Sequence, residues 1–107
     1  KEVIVNVKEG DTQLTLKELA PVRLIKNKFY NDVQELYAKC PTKEELVALL
    51  GRARAKRGMF EGDLVEGELE IGQIAGLINE IQPVKEIINT MIAEFKQAQI
   101  EIGQLQF

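Results

Sequence analysis

Apolar and polar residues alternate at the start of the chain. In KEVIVNVKEGDTQLTL, residues 1–16, the apolar Val3, Val5 and Val7 are separated by polar or charged residues, which is typical of a β-strand. The sequence EGD at 9–11 favours a turn, and the alternation then resumes. The pattern therefore predicts a two-stranded hairpin.

A short helix over residues 1–8 is the alternative to the first strand, because its charged residues are tolerated in either state. A second stretch that favours β structure, LAPVRLIKN, follows at 19–27, where Pro21 keeps Ala20 out of the α region. Two or three such short strands need a helix or another sheet to cover them.

The apolar spacing becomes helical from Asn27 onward. Phe29, Val33, Leu36 and Tyr37 share one face of a predicted helix, and Asn27 is a suitable N-cap. The next proline along the chain ends this helix.

A second helix is predicted in PTKEELVALLGRARAKRG, residues 41–58. Thr42 is its N-cap, and Glu45 stands three residues later, the spacing of a capping box. Gly51 weakens the centre of this helix, and Gly58 is expected to end it in the left-handed conformation.

A loop with glycines on both sides of its acids follows, and then a helix is predicted over residues 68–81. Pro83 separates it from a last helix, whose apolar spacing weakens beyond Gln97. The final segment 100–107 is expected to fray or to pack on a partner. The predicted fold class is therefore mainly α, within the α+β class: about four helices with a short N-terminal β element.

Composition excludes several functions. The chain has 107 residues, enough for one domain, and a net charge of −3, which argues against nucleic-acid binding. It contains no histidine and a single cysteine, Cys40, so histidine catalysis, the usual zinc sites and an internal disulfide are excluded. Cys40 is interpreted as a free structural thiol. No apolar run reaches the roughly 18 residues that a membrane span needs.

Two charged clusters have ordinary interpretations. The basic residues between 52 and 57 could bind a phosphate, but no aromatic residue stands among them, and cations are favourable at a helix end. The acids between 61 and 70 could bind a metal, but they lack the spacing of an EF-hand loop. We therefore expect both clusters to be solvated surface.

A Gly-x-x-x-Gly pair stands in the predicted helix 68–81. Gly72 and Gly76 would lie on one helical face beside Gln73, and glycine in a helix interior is costly. Either tight packing or contact with a ligand would account for the pair. No combination of nucleophile, base and oxyanion donors is recognisable in the chain.

Two stretches of the chain resemble a known family. KEGDTQLTLKELAPVRLIKNKF, residues 8–29, resembles the segment that follows the flavin-binding barrel in FMN-dependent enoyl-acyl-carrier-protein reductases and nitronate monooxygenases. MFEGDLVEGELEIGQIAGLINEIQPVKEII, residues 59–88, is similar to the C-terminal signature of the same family. The residues that carry the resemblance are Asp11, Thr12, Pro21, Arg23, Asn27, Gly62, Asp63, Gly67, Gly72, Gln73, Ala75, Gly76 and Pro83.

The resemblance implies that this chain is a C-terminal piece of a larger flavin TIM-barrel enzyme. Residues 1–26 would be the end of the barrel region, and residues 27–107 a helical subdomain. The family's active-site histidine lies in the barrel, so no catalytic residue is expected in this chain. The start at Lys1 rather than Met fits either a processed chain or fragment, or a trimmed end.

The resemblance also implies cofactors, partners and site residues. The parent enzyme would use FMN and NAD(P)H to reduce an enoyl-acyl-carrier-protein in the cytoplasm, or FMN and oxygen to oxidise a nitronate; this chain alone would bind no cofactor and no metal. Gly72 and Gln73 are candidates for lying near the flavin, and Arg23, Asn27 and Gly76 for structural or docking roles. The expected partners are the remainder of the barrel and further copies in a homo-oligomer, without nucleic acid or membrane.

A different hypothesis is a self-contained helical interaction module without catalysis. The face formed by Gly72 and Gly76 would then dock a partner protein.

Overall fold

The computed structural model describes residues 1–106. Their order along the chain is α1 (Glu2–Val5), β1 (Thr12–Thr15), β2 (Val22–Ile25), α2 (Lys28–Tyr37), α3 (Lys43–Leu50), α4 (Arg54–Met59), a 3₁₀ helix (Gln73–Leu77) and α5 (Val84–Gly103). The chain is thus mainly helical with a small two-stranded sheet, as the sequence pattern predicts.

The sheet pairs different segments from those of the predicted hairpin. β1 runs antiparallel to β2, with Thr12 opposite Ile25, and residues 2–5 form the short helix α1 instead of a strand. The predicted strand at the chain start is therefore wrong, and the helical alternative is correct. An alternating pattern specifies a face but no partner, and β2 supplies the pairing that β1 requires.

Residues 69–71 extend along the other edge of β2. Ile25 N–H donates to the Leu69 carbonyl (3.0 Å) and Ile71 N–H to the Arg23 carbonyl (3.0 Å). The predicted helix over 68–81 is therefore wrong: its first residues pair with the open edge of β2, and only Gln73–Leu77 forms a single stretch of 3₁₀ helix.

The core forms where α2 and α3 pack against the sheet. Asn27 caps α2 as predicted, because Tyr30 N–H donates to its side-chain oxygen (3.0 Å). The buried cluster consists of Leu16, Leu24, Phe29, Tyr30, Val33 and Leu46.

The capping box of α3 is confirmed, but the predicted helix 41–58 divides into two. Glu45 N–H donates to the Thr42 hydroxyl (3.3 Å), and Thr42 N–H donates to the Glu45 carboxylate (2.7 Å). Gly51 takes a φ of +67°, which ends α3, and α4 begins three residues later. Gly58, predicted as a C-cap, instead lies buried inside α4.

The last helix begins after Pro83 and continues to Gly103. The weaker apolar spacing beyond Gln97 does not end it, so the prediction of fraying from residue 100 is wrong as far as Gly103; Phe107 lies outside the described residues. None of the residues of α5 is buried. None of the helices formed by residues 1–106 is long and apolar enough to cross a membrane.

The described chain is elongated, with extents of 53 × 36 × 20 Å and a radius of gyration of 18.1 Å. A compact domain of about 100 residues has a radius of gyration near 13 Å. The difference indicates that much of the chain packs on only one side.

Candidate functional site

A cleft lies between the loop that precedes β1 and the 3₁₀ helix. Its volume is about 640 Å³. Its lining consists of Lys8, Glu9, Gly10, Thr12, Arg23, Gln73, Ile74, Gly76 and Leu77. Three of the five residues predicted to form a site, Arg23, Gln73 and Gly76, therefore meet at one cleft, although up to 53 residues separate them along the chain. Asn27 and Gly72 are not among the residues that line it.

The loop 8–11 forms one wall, and hydrogen bonds hold it in place. Lys8 N–H donates to the Asp11 carboxylate (2.8 Å), and Asp11 N–H returns a bond to the Lys8 carbonyl (3.1 Å). The Lys26 ammonium donates to the Gly10 carbonyl (2.7 Å), and Gly10 takes a φ of +89°. The wall is thus fixed to the end of β2.

Arg23 forms the floor. From the centre of β2 its guanidinium donates to the Thr12 hydroxyl (3.0 Å) and to the Thr12 carbonyl (3.3 Å) across the sheet. These bonds use part of its donor capacity and orient it along the cleft. The cleft carries two cations, on Lys8 and Arg23, against the single carboxylate of Glu9.

The 3₁₀ helix forms the opposite wall. Ala75 is completely buried and anchors the helix, while Gln73 is exposed. Ile74 and Leu77 are also mostly exposed. This wall therefore presents an amide that can both donate and accept, together with two uncovered apolar side chains.

The two predicted site glycines are not on one helical face. Gly72 precedes the 3₁₀ helix in an extended conformation, and a Cβ there would meet only the Ile74 side chain, at 3.7 Å. At Gly76 a Cβ would lie 3.5 Å from the backbone of Lys8 and Glu9, an ordinary van der Waals distance. The prediction of a bare helical face is wrong, because this segment does not form the α-helix on which that geometry depends.

The side chain of Asn27 makes its hydrogen bonds to other segments of this chain. Its amide nitrogen donates to the carbonyls of Gly67 (2.8 Å) and Leu64 (3.1 Å), while its oxygen caps α2. It therefore ties α2 to the acidic loop, residues 61–68. A docking role of Asn27 or Arg23 toward a barrel stays a prediction.

Hydrogen bonds and ion pairs within the chain hold the acidic loop in place. Asp63 accepts hydrogen bonds from Glu66 N–H (2.8 Å) and Val65 N–H (3.2 Å) and pairs with Arg57; these bonds, with the Glu66 N–H first, hold the pKa of Asp63 below its usual value. Glu66 pairs with Lys28 (2.8 Å). Among residues 1–106, no group of three or more acidic, cysteine or histidine side chains could hold a metal ion.

The basic cluster contains one residue that is not solvated surface. The Arg54 guanidinium donates to the carbonyls of Leu50 (2.8 Å), Glu66 (2.7 Å) and Leu49 (3.1 Å), and its centre lies 4.5 Å from the Phe29 ring centroid. The sequence interpretation missed this residue, since its partners come from three segments. Cys40 is exposed and free.

A close approach of two glycines was also missed. A Cβ on Gly67 would lie 2.3 Å from the Gly58 Cα, and a Cβ on Gly58 would lie 2.5 Å from the Glu68 carbonyl oxygen. The only sequence signal was the presence of glycine at both positions, at the end of a predicted helix and beside the acids.

Comparison with solved structures finds that this chain is similar to part of a longer protein. No protein-family model matches the chain, and no curated protein sequence matches it. The structure of FabK from Thermotoga maritima is 36% identical, with a TM-score of 0.76; the match covers 95% of this chain and 32% of that chain. A single-residue mutant of the same protein is 34% identical, with a TM-score of 0.71, over 95% of this chain and 29% of that chain. Over nearly its whole length, this chain is therefore similar in sequence and fold to about a third of FabK.

Proposed function

We propose that this chain is a C-terminal segment of an FMN-dependent enoyl-acyl-carrier-protein reductase of the FabK type, an enzyme of fatty acid biosynthesis, and that residues 27–107 form its helical subdomain. The observation that carries the proposal is the 36% identity with a TM-score of 0.76 over 95% of the chain. The motif residues between positions 11 and 83 fit both enzymes of the family, and the identity with FabK favours the reductase. No observation favours the nitronate monooxygenase or the self-contained interaction module.

The proposed role of the chain is to form one wall of a cofactor and substrate site. Ligand sites bury most of their ligand, whereas this cleft is partly open to solvent. Lys8 and Arg23 suit an anionic group, and Gln73 suits a polar edge of a ring or an amide. These residues fit a boundary of a flavin site, which the remainder of the enzyme would complete.

In that arrangement the chain itself carries no reacting group. FMN and NAD(P)H supply the hydride chemistry when they are bound. The chain's residues would bind, orient and exclude water at the edge of the site. We accordingly place the catalytic residues outside this chain.

A chimera tests the proposal. The matched third of Thermotoga maritima FabK is replaced by this chain, and unmodified FabK is prepared in parallel. We expect the chimera to bind FMN at the same stoichiometry, measured by flavin absorbance, and to oxidise NAD(P)H only when an enoyl thioester is present. A soluble, folded chimera that contains no flavin would contradict the proposed function.

Gln73→Ala in the chimera tests the predicted site residue. Because Gln73 is exposed in the cleft, we expect weaker flavin retention or a KM for the enoyl thioester raised several-fold, with an unchanged melting temperature. Gln97→Ala, on the polar side of α5, is the control. Unchanged kinetics with a lowered melting temperature would assign Gln73 to packing instead.

A further inference from the structure

One face of α5 carries an apolar stripe along its whole length. Its members recur at alternating intervals of four and three residues, the spacing that keeps side chains on one side of a helix. They are Val84, Ile88, Met91, Phe95, Ala98 and Ile102. None is buried: Val84 is 74% exposed and Phe95 is 63% exposed.

The stripe widens in the first half of the helix. Ile87 and Ile92 flank it there, and both are more than two-fifths exposed. A two-stranded coiled coil places polar residues at such flanking positions, whereas a broad apolar face is typical of a helix that packs on the core of a larger body. The width therefore argues for a broad partner surface rather than for a single partner helix.

The apolar surface continues beyond the helix. Ile78 and Ile81, exposed in the segment before Pro83, lead to a groove of about 240 Å³ between α1 and the start of α5. The opposite side of α5 carries polar residues such as Glu86, Thr90 and Gln97. Ile100 is the one large apolar residue on that side, so the continuous apolar stripe lies on the other side alone.

The similarity to FabK indicates what that partner is. The chain corresponds to 32% of the FabK chain, so about two-thirds of such an enzyme lies outside it. Most of the stability of a helix in a protein comes from the packing of its apolar face, and the stripe carries no charged residue. A large apolar surface of the same enzyme would supply the packing that the helix needs and would match a stripe without charge.

We propose that the remaining two-thirds of a FabK-type enzyme packs on the apolar stripe of α5, and that the stripe is not a contact between two copies. This inference rests on the proposed function and names the surface through which the subdomain joins the enzyme.

Two matched double variants of the chimera test the inference. Ile88→Glu with Phe95→Glu places two charges on the stripe, and Thr90→Glu with Gln97→Glu places two charges on the opposite side at the same spacing. We expect the stripe variant to lose most of its bound FMN or at least 10 °C of melting temperature, and the control to match the unsubstituted chimera. Light scattering is expected to give the same mass for the control and the unsubstituted chimera.

Hydrogen exchange decides the matter if the stripe variant does not fold. We expect the amides of α5 to exchange at least 100-fold more slowly in the unsubstituted chimera than in this chain alone. Equal exchange of the α5 amides in the unsubstituted chimera and in this chain alone would overturn the inference. A stripe variant that keeps its flavin and its melting temperature would also overturn it, whether the mass of the variant is unchanged or halved. A chimera without flavin would overturn the proposed function, whereas a flavin-loaded chimera with an unprotected α5 would overturn this inference alone.

Discussion

Gly58 and Gly67 meet where α4 passes the end of the acidic loop. A Cβ on Gly67 would lie 2.3 Å from the Asp63 carbonyl oxygen and from the Gly58 Cα, and a Cβ on Gly58 would lie 2.5 Å from the Glu68 carbonyl oxygen. These are all backbone atoms and cannot rotate away. The approach therefore requires glycine on both sides.

Gly67→Ala is expected to destabilise the chain by about 3 kcal/mol or more, because overpacking against backbone forces the loop away from α4. Urea denaturation followed by circular dichroism measures the effect. Gly103→Ala is the control: a Cβ there meets nothing within 4 Å, and alanine favours the helix. Equal stability of the two variants would contradict the close approach.

Glu68 is a buried acid, only 6% exposed. Burial raises the pKa of its carboxyl, and the neighbouring Glu70 raises it further, while Arg54 opposes the shift. A raised pKa in the folded state means that ionisation is less favourable in the folded chain than in the unfolded chain. As the pH rises above the ordinary pKa of a glutamate, the ionisation of Glu68 therefore lowers the free energy of unfolding.

Glu68→Gln is expected to raise the free energy of unfolding at pH 7, because the amide removes the cost of holding a charge at a buried position. The gain should vanish near pH 3, below the ordinary pKa of a glutamate, where the unsubstituted carboxyl is protonated in both states. Urea titrations at the two pH values, with the exposed Glu86→Gln as the control, measure it. A variant less stable than the parent at pH 7 would refute the assignment.

At the scale of the elements, Arg54 joins four segments. It stands at the start of α4, and its guanidinium takes the last carbonyls of α3, the Glu66 carbonyl of the acidic loop and the face of Phe29 in α2. Its planar group offers five donors in a fixed arrangement. This geometry explains how α4 stays attached although Gly51 has ended α3.

Arg54→Lys is expected to destabilise the chain by about 2–3 kcal/mol, because an ammonium cannot reach three carbonyls and stack on a ring together. The exposed Arg52→Lys, in the same basic cluster, is expected to change stability by less than about 0.5 kcal/mol. Thermal unfolding of the two variants compares them directly. Equal melting temperatures would show that the charge alone matters.

At the scale of the whole molecule, the distribution of apolar surface stands out. The buried cluster lies between the sheet, α2 and α3, whereas the 3₁₀ helix, the segment after it and α5 leave their large apolar side chains exposed. Monomeric proteins rarely expose contiguous apolar surface beyond a few hundred Å². A subdomain separated from a larger body would have this distribution.

The chain alone is therefore expected to self-associate or to bind the dye ANS. Light scattering over a concentration series and ANS fluorescence measure the two properties. A monodisperse chain that is silent to ANS and unfolds in two states would instead favour the self-contained interaction module.

Local signals were interpreted correctly from the sequence, because the groups involved stand close together along the chain. The N-cap at Asn27 and the capping box at Thr42 use partners three residues away, and Pro83 separates α5 from what precedes it. The second β segment was predicted as well, in the stretch where Pro21 keeps Ala20 out of the α region. Each of these features depends on local backbone sterics and hydrogen bonds.

Non-local features were predicted wrongly, because the groups involved stand far apart along the chain. The segment 68–81 has a helical apolar pattern, but the edge of β2 offers Leu69 and Ile71 backbone partners that a helix would not. Gly58 was interpreted as a helix end because its true neighbour, Gly67, is nine residues away. A periodic pattern specifies which side chains share a face, and it does not specify the backbone that will lie against them.

The sequence by itself determined the helical character, the caps and the apolar face of α5, since these follow from residue type and spacing. Only the tertiary structure decided that β1 pairs with β2, that two glycines meet backbone to backbone, and that Arg23 and Gln73 share a cleft. Those outcomes depend on the competition of distant segments for the same hydrogen bonds and the same space. The fold of the whole chain resolves that competition.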